Sequence, residues 1–371
     1  MLEETLSKEQ LATNDRRKGA LLELIASGDA VLMAGAGCSG GLYPPWPKFV
    51  AELQSAAIAH DPKFNGGSSD DFLTFADNVK NCLGDDKYYA FIYKTFKPGT
   101  QKHRLEHEVL CRLPFRAITT TNYDLVLESA LNVVFPNPAN SLHFEGATKT
   151  KIHEFLMSMN HNKNLSRSVA HLHGVYDQPD SIVLGGKEYS SKYGFLLTDQ
   201  PDTIYDQIQK GLSPAEFEQA LVTYGYQWPL RRKLLWALLA TRRIVFIGFS
   251  LNDPYFLKML DYVKDDLATY YSESHFLILR VTKNDHERSM AFADRLNADY
   301  GIETVFFFDE PGDYSGLAKF IQELDVLNEV VPFADKVVEE PVPVATPGKS
   351  SVRNKLLELG KKQYSDENKQ R

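Results

Sequence analysis

The sequence predicts an α/β protein: a doubly wound parallel sheet with a smaller helical insertion layer. Short apolar or β-branched runs that read as buried strands recur along the chain. Between them lie segments with the i, i+3, i+4 apolar stripe of an amphipathic helix. Strand alternating with helix implies a parallel sheet covered on both faces. With 371 residues, 43% hydrophobic and 24% charged, the composition supports a large buried core.

Asp15–Ala26 is the first helical period, and Ala30–Ala34 follows as an apolar run ending in glycines, a buried strand. Helical stripes over Lys48–His60 and Arg104–Leu113 precede a second strand at Phe115–Thr121. Val169–His173 and Ser181–Leu184 read as the next two strands. Ile244–Ile247, Phe276–Val281 and Thr304–Phe308 complete the set, with helices at Tyr255–Val263 and Gly316–Leu324. Residues near 61–98 and 189–239 are helix-rich without convincing strands, and read as insertions that form the smaller layer or a lid. Residues 1–330 thus read as one domain. In the remaining 331–371, the prolines of Glu339–Ser350 suit an extended linker, and Val352–Gln363 suits a short docking helix.

Charge and cysteine content narrow the function classes. A net charge of −8 and a pI near 5.7 offer no global basic field, so direct nucleic-acid binding is not expected. The acidic, polar N-terminus lacks a secretory signal, and no stretch approaches the roughly 20 apolar residues of a membrane span. Cys38, Cys82 and Cys111 form no C-x-x-C pair, which indicates neither a disulfide framework nor a zinc ribbon. A cytoplasmic, metal-free protein is the expectation.

The first strand runs into Gly35-Ala36-Gly37-Cys38-Ser39-Gly40-Gly41, formally G-x-G-x-x-G, the fingerprint of Rossmann-like dinucleotide sites. Small residues there let the backbone approach a pyrophosphate. The alternative is a tight turn without a ligand. A dehydrogenase would continue straight into a helix and reach an acidic strand end about 20 residues on. Here Pro44, Pro45 and Pro47 intervene, and Glu52 lies within a helical pattern, so hydride transfer loses ground.

Three further motifs end strands: Thr119-Thr120-Thr121-Asn122-Tyr123-Asp124, Ala170-His171-Leu172-His173-Gly174, and Ile247-Gly248-Phe249-Ser250 leading to Asp253-Pro254. Open parallel sheets hold ligands at such carboxyl ends. Together with the glycine turn, this order resembles the sirtuin-like superfamily, in its bacterial branch that degrades nicotinamide adenine dinucleotide (NAD+) in antiviral defence. The resemblance covers roughly Val31 to Leu324. It implies that Gly35, Ala36, Gly37 and Ser39 line the pyrophosphate. It likewise implies that Asn122 and Asp124 order the nicotinamide ribose and carboxamide. His173 would be the catalytic base or ribose-hydroxyl partner, and Gly248 and Ser250 would hold the adenosine ribose. Asn122 and His173 are the implied catalytic pair.

The chain departs from deacetylating sirtuins, because three unpaired cysteines cannot build a four-cysteine zinc module. The proline-aspartate-phenylalanine-arginine stretch is replaced by PPWPKF. Both departures favour hydrolysis or cyclisation of NAD+ over deacetylation. Nicotinamide leaves a cationic pyridinium as a neutral molecule, so cleavage needs little acid catalysis. A histidine near its unperturbed pKa of about 6.5 could take a proton at neutral pH.

Plainer readings exist for each motif. His171 and His173 share one face of an alternating strand and could be structural. Asn122-Tyr123-Asp124 could be an Asx turn, and Asp253-Pro254 a helix start. His103-Arg104-Leu105-Glu106-His107 matches the inverted zinc-peptidase pattern H-x-x-E-H, with no clear third ligand. A rival of another class is a sirtuin-like module that senses a dinucleotide or partner without cleaving it; retention of both Asn122 and His173 favours an enzyme. The resemblance further implies homo-oligomers and a partner such as a HerA-type translocase or a short Argonaute, with the tail as docking element.

Overall fold

The run Ala30–Ala34 is buried over its whole length, as a central strand covered on both faces must be. In the computed structural model it is β1, with β2 (Ala117–Thr120) on one side and β5 (Arg243–Ile247) on the other, both parallel to it. β3 (Asn140–Leu142), β4 (Ser168–His171), β6 (Phe276–Val281) and β7 (Glu303–Phe308) complete a seven-stranded sheet in the order β3-β4-β2-β1-β5-β6-β7. Every pair is parallel. The structure describes residues 2–67, 71–135, 140–144, 149–159, 168–193, 229–251, 253–267, 274–310 and 313–325.

Alternation along the strands builds two cores. Leu32, Ile118, Val169 and Val245 face one side, packed by the helices Lys8–Ala26, Leu105–Arg112, Val126–Val134 and Ser315–Leu324. Val31, Met33, Ala170 and Phe246 face the other, covered in part by Gly186–Tyr193, Leu230–Thr241 and Pro254–Leu267. The smaller helical layer has its own core, in which Phe49, Phe75, Tyr88 and Ile92 join the helices Trp46–His60, Phe72–Leu83 and Asp85–Phe96.

Two strand expectations need correction. Ser181–Leu184 is not a strand: Pro179–Ser181 forms a 3-10 turn and the following residues are a buried connection. Both edges of β4 are already taken by β2 and β3, so the backbone of this run bonds to loops instead. Val183 N donates to His173 O, and Val183 O accepts from the Tyr123 hydroxyl. The run is apolar because it is buried, not because it pairs. Conversely, β3 spans three residues, too short to show a periodicity. Most of 189–239 and all of 331–371 lie outside the described residues.

Among the described residues no helix is long and apolar enough to cross a membrane.

Candidate active site

From β1 the chain winds to one side of the sheet through β2, β3 and β4, then returns to wind to the other side through β5, β6 and β7, so the topological switch point lies between β1 and β5. Ligands of open α/β sheets bind outside the carboxyl ends there. The turn after β1 is the 3-10 helix Ala36–Ser39. Gly35 N donates to Ile247 O and Gly37 N to Gly248 O, each at 2.9 Å. A Cβ on Gly35 would collide with the Gly248 carbonyl, and one on Gly37 would stand 2.8 Å from Gly248 Cα. Gly248 has φ +63°, and a side chain there would strike Cys38 N. The glycines of the two motifs therefore let the turns after β1 and β5 pack backbone on backbone. Ala36 and Ser250 stay exposed beside them, and Gly37 and Gly248 are partly exposed. The residue after Ser250, Leu251, is buried at φ +49°, an uncommon conformation for a leucine that strains the β5 turn.

Asn122 joins this turn from β2. Its Nδ2 donates to Gly35 O at 3.0 Å and to Ser39 Oγ at 3.1 Å. Thr120 Oγ1 fixes the strand end by donating to Ala34 O and accepting from Asn122 N. Asp124 lies 4% exposed and accepts from Val126 N at 3.1 Å, so the Asx turn is present. Burial raises its carboxyl to about 6, against the opposing bonds from Val126 N and the Ser39 hydroxyl. Ser39, Asn122 and Asp124 thus form one cluster beside the glycine turn. Tyr43, half-buried, faces the same carboxylate.

Beneath Asn122 sits a pair the sequence left unassigned. His171 Nε2 is 2.7 Å from Glu128 Oε1, and Nδ1 is 2.9 Å from Asn122 O. Both partners are acceptors, so the ring must donate from both nitrogens. Burial alone would disfavour that charge, but the Glu128 carboxylate outweighs it and raises the pKa. His171 anchors the Asn122 loop.

His173 does not share His171's face. β4 ends at His171 and the chain turns at Leu172–His173, so strand alternation stops there. His173 lies against Tyr189 and Tyr193, with ring centroids 5.3 and 6.1 Å away. Its turn is tied down by buried groups: Arg231 donates to Leu172 O and Ser181 O, and Tyr193 to Leu172 O. Gly174 has φ +88°, and a Cβ there would meet Ser181 O. The expected pKa near 6.5 is overturned. Burial, with help from the Arg231 charge, pushes the imidazole down to about 4 despite Asp253. His173 is therefore neutral at pH 7, a hydrogen-bond acceptor and a weak base.

The loops after β2 and β4 are sewn together. Leu172 N donates to Thr120 O, and Tyr176 N to Tyr123 O. Asn122 and His173 therefore occupy neighbouring strand ends. Two further residues reach His173: Asp253 Oδ2 at 3.5 Å and the Tyr189 hydroxyl at 3.4 Å. Asp253 does start a helix, as expected, but only one of its oxygens is used for that. Tyr189 had no sequence signal beyond its place in an insertion.

The H-x-x-E-H segment has another use. His107 is buried; its Nδ1 accepts from Arg104 N, and its Nε2 lies 2.6 Å from Cys38 O. Both nitrogens are committed to backbone, and the Arg104 side chain packs on Gly41. His107 braces the glycine turn from below. His103 precedes the helix and pairs with Glu108.

The chain is 23% identical over 282 residues to the NAD(+) hydrolase ThsA of Enterococcus faecium, a match covering 76% of this chain and 49% of that protein. The chain thus spans about half the length of this curated relative. The SIR2-like domain family matches residues 116–305, which takes in Asn122, Asp124, His173, Gly248 and Ser250. That span is more than half of the sequence, and the chain belongs to the SIR2-like domain family.

Proposed function

We propose that this protein is an NAD+ hydrolase that cleaves the nicotinamide–ribose bond and serves bacterial antiphage defence by depleting the dinucleotide. The observation that carries the reading is the cluster of Ser39, Asn122 and Asp124 on the glycine turn, next to the loop of His173. In this reading Gly35, Ala36, Gly37 and Ser39 border the pyrophosphate, and Gly248 and Ser250 the adenosine ribose. Asn122 and Asp124 orient the nicotinamide ribose and carboxamide. His173, neutral at pH 7, accepts a hydrogen bond from a ribose hydroxyl and takes its proton only as positive charge leaves the ring. Orientation in a site walled by protein supplies much of the rate, and no metal takes part.

Incubating the full-length protein with NAD+ and following nicotinamide by chromatography tests this. Asn122→Ala and His173→Ala should each abolish release. Undiminished release by both variants would sink the assignment. We further propose a cytoplasmic homo-oligomer that works with a partner such as a HerA-type translocase or a short Argonaute. Its docking element is the tail 331–371, and comparing assembly by light scattering with and without residues 339–371 tests that role.

A further inference from the structure

One side of the His173 ring is surrounded by acceptors. The Tyr189 hydroxyl gives its single proton to Asp253 Oδ2 across 2.6 Å, so toward His173 Nε2, 3.4 Å away, it offers only a lone pair. The carboxylate oxygen of Asp253, 3.5 Å from the same nitrogen, likewise offers lone pairs. A neutral imidazole has one proton to place, and both neighbours demand it on Nε2. Nδ1 then keeps its free pair, and no described residue hydrogen-bonds to it.

Neither acceptor is free to turn away. Asp253 Oδ1 caps its helix, accepting from Tyr255 N at 2.9 Å and Phe256 N at 3.1 Å, which aims Oδ2 back at His173. The Tyr189 ring is stacked on Tyr255 with centroids 4.3 Å apart, and on Tyr193 at 5.7 Å. The buried Arg231 guanidinium disfavours a second proton on the ring.

We propose that Asp253 and Tyr189 are positioning residues that lock His173 in the Nε2-protonated tautomer, presenting Nδ1 to the reacting ribose as the acceptor. This rests on the catalytic reading of His173 given above, but it is read by a separate measurement. The same aspartate starts the helix that follows the Gly248–Ser250 turn, so it links the two ends of the proposed dinucleotide site.

Full-length protein labelled with ¹⁵N-histidine, without substrate at pH 7, reports the tautomer through long-range ¹H–¹⁵N spectra. His173→Gln identifies the signals by their loss. The wild type should show the Nε2–H form. Asp253→Asn is the informative variant. Asparagine also caps helices well, so its oxygen stays on the Tyr255 and Phe256 amides and its NH₂ group faces His173. A donor there favours a bare Nε2, so the tautomer should reverse, and kcat should fall about 100-fold or more with KM little changed. Tyr189→Phe, which keeps the ring stack, should retain the tautomer and lose about tenfold in kcat. A wild-type proton on Nδ1, or an unchanged tautomer in Asp253→Asn, would overturn the proposal. If the tautomer reverses as described but no form releases nicotinamide, the lock stands and the hydrolase reading fails.

Discussion

Replacing Asp124 with asparagine should make the protein more stable at neutral pH and less active. The carboxyl is 4% exposed, and burial lifts it from an ordinary 3.8 to about 6. The folded protein therefore binds this proton more tightly than the unfolded chain does. Stability from this group is fully present below about pH 4 and is lost as pH rises toward about 6, where the carboxylate forms in the native site. The gap of about two pH units corresponds to about 3 kcal/mol above pH 6. Asparagine keeps an oxygen for Val126 N but weakens the bond from the Ser39 hydroxyl, at a cost of about 1 kcal/mol. The net gain is about 2 kcal/mol at pH 7.5, or a melting temperature higher by roughly 4 °C. Scanning both proteins by fluorimetry from pH 4 to 8 measures it, because the other titrating groups cancel in the difference. The variant's advantage should vanish between about pH 4 and 5 and turn into a small deficit below that, where only the weakened Ser39 bond, about 1 kcal/mol, remains. A variant less stable than wild type at pH 7.5, or a difference independent of pH, would refute the reasoning. Nicotinamide release, followed in parallel, should fall sharply, since the charge held at this cost is the one proposed to order the substrate.

Glu128→Gln should show the opposite pH signature. The raised pKa of His171 means its pairing stabilises fully below about pH 6.5 and fades as pH rises through the folded value. The variant's loss, about 1–3 kcal/mol for a charge-assisted bond, should therefore be larger at pH 6 than at pH 9, and a flat difference in melting temperature would count against the doubly protonated ring. His107→Ala leaves Cys38 O and Arg104 N without their partner and should cost about 2–3 kcal/mol. Nicotinamide release by the wild type should be indifferent to a zinc chelator, and a chelator-sensitive activity would return the H-x-x-E-H segment to consideration as a metal site.

Several features are legible in the sequence alone. β1 is a continuous apolar run, and apolar runs make up most of β5, β6 and β7, whose charged residues Arg243, Arg280 and Glu303 are not buried; such runs announce a strand buried on both faces. The amphipathic stripe of Lys48–His60 marks a helix within two residues of its observed start at Trp46. The glycine turn and the polar groups of Asn122, Asp124 and His173 stand at strand ends, because a parallel sheet places its loops there in chain order. Ser181–Leu184 misled because burial and strand pairing leave the same apolar trace, and only the occupied edges of β4 separate them.

What the sequence determined by itself is the order of elements and the presence of a polar motif after each central strand, since both follow from local periodicity and residue type. Tertiary structure alone decided what those residues meet. Gly37 and Gly248 lie 211 positions apart and share a hydrogen bond, Glu128 charges His171 across 43 positions, and Asp253 faces His173 from another loop. Periodicity carries no information about such pairings. They arise from the close approach of strand ends in the sheet. Burial in that packing, with the Arg231 charge, sets the pKa of His173 near 4 rather than 6.5, against the opposing pull of Asp253.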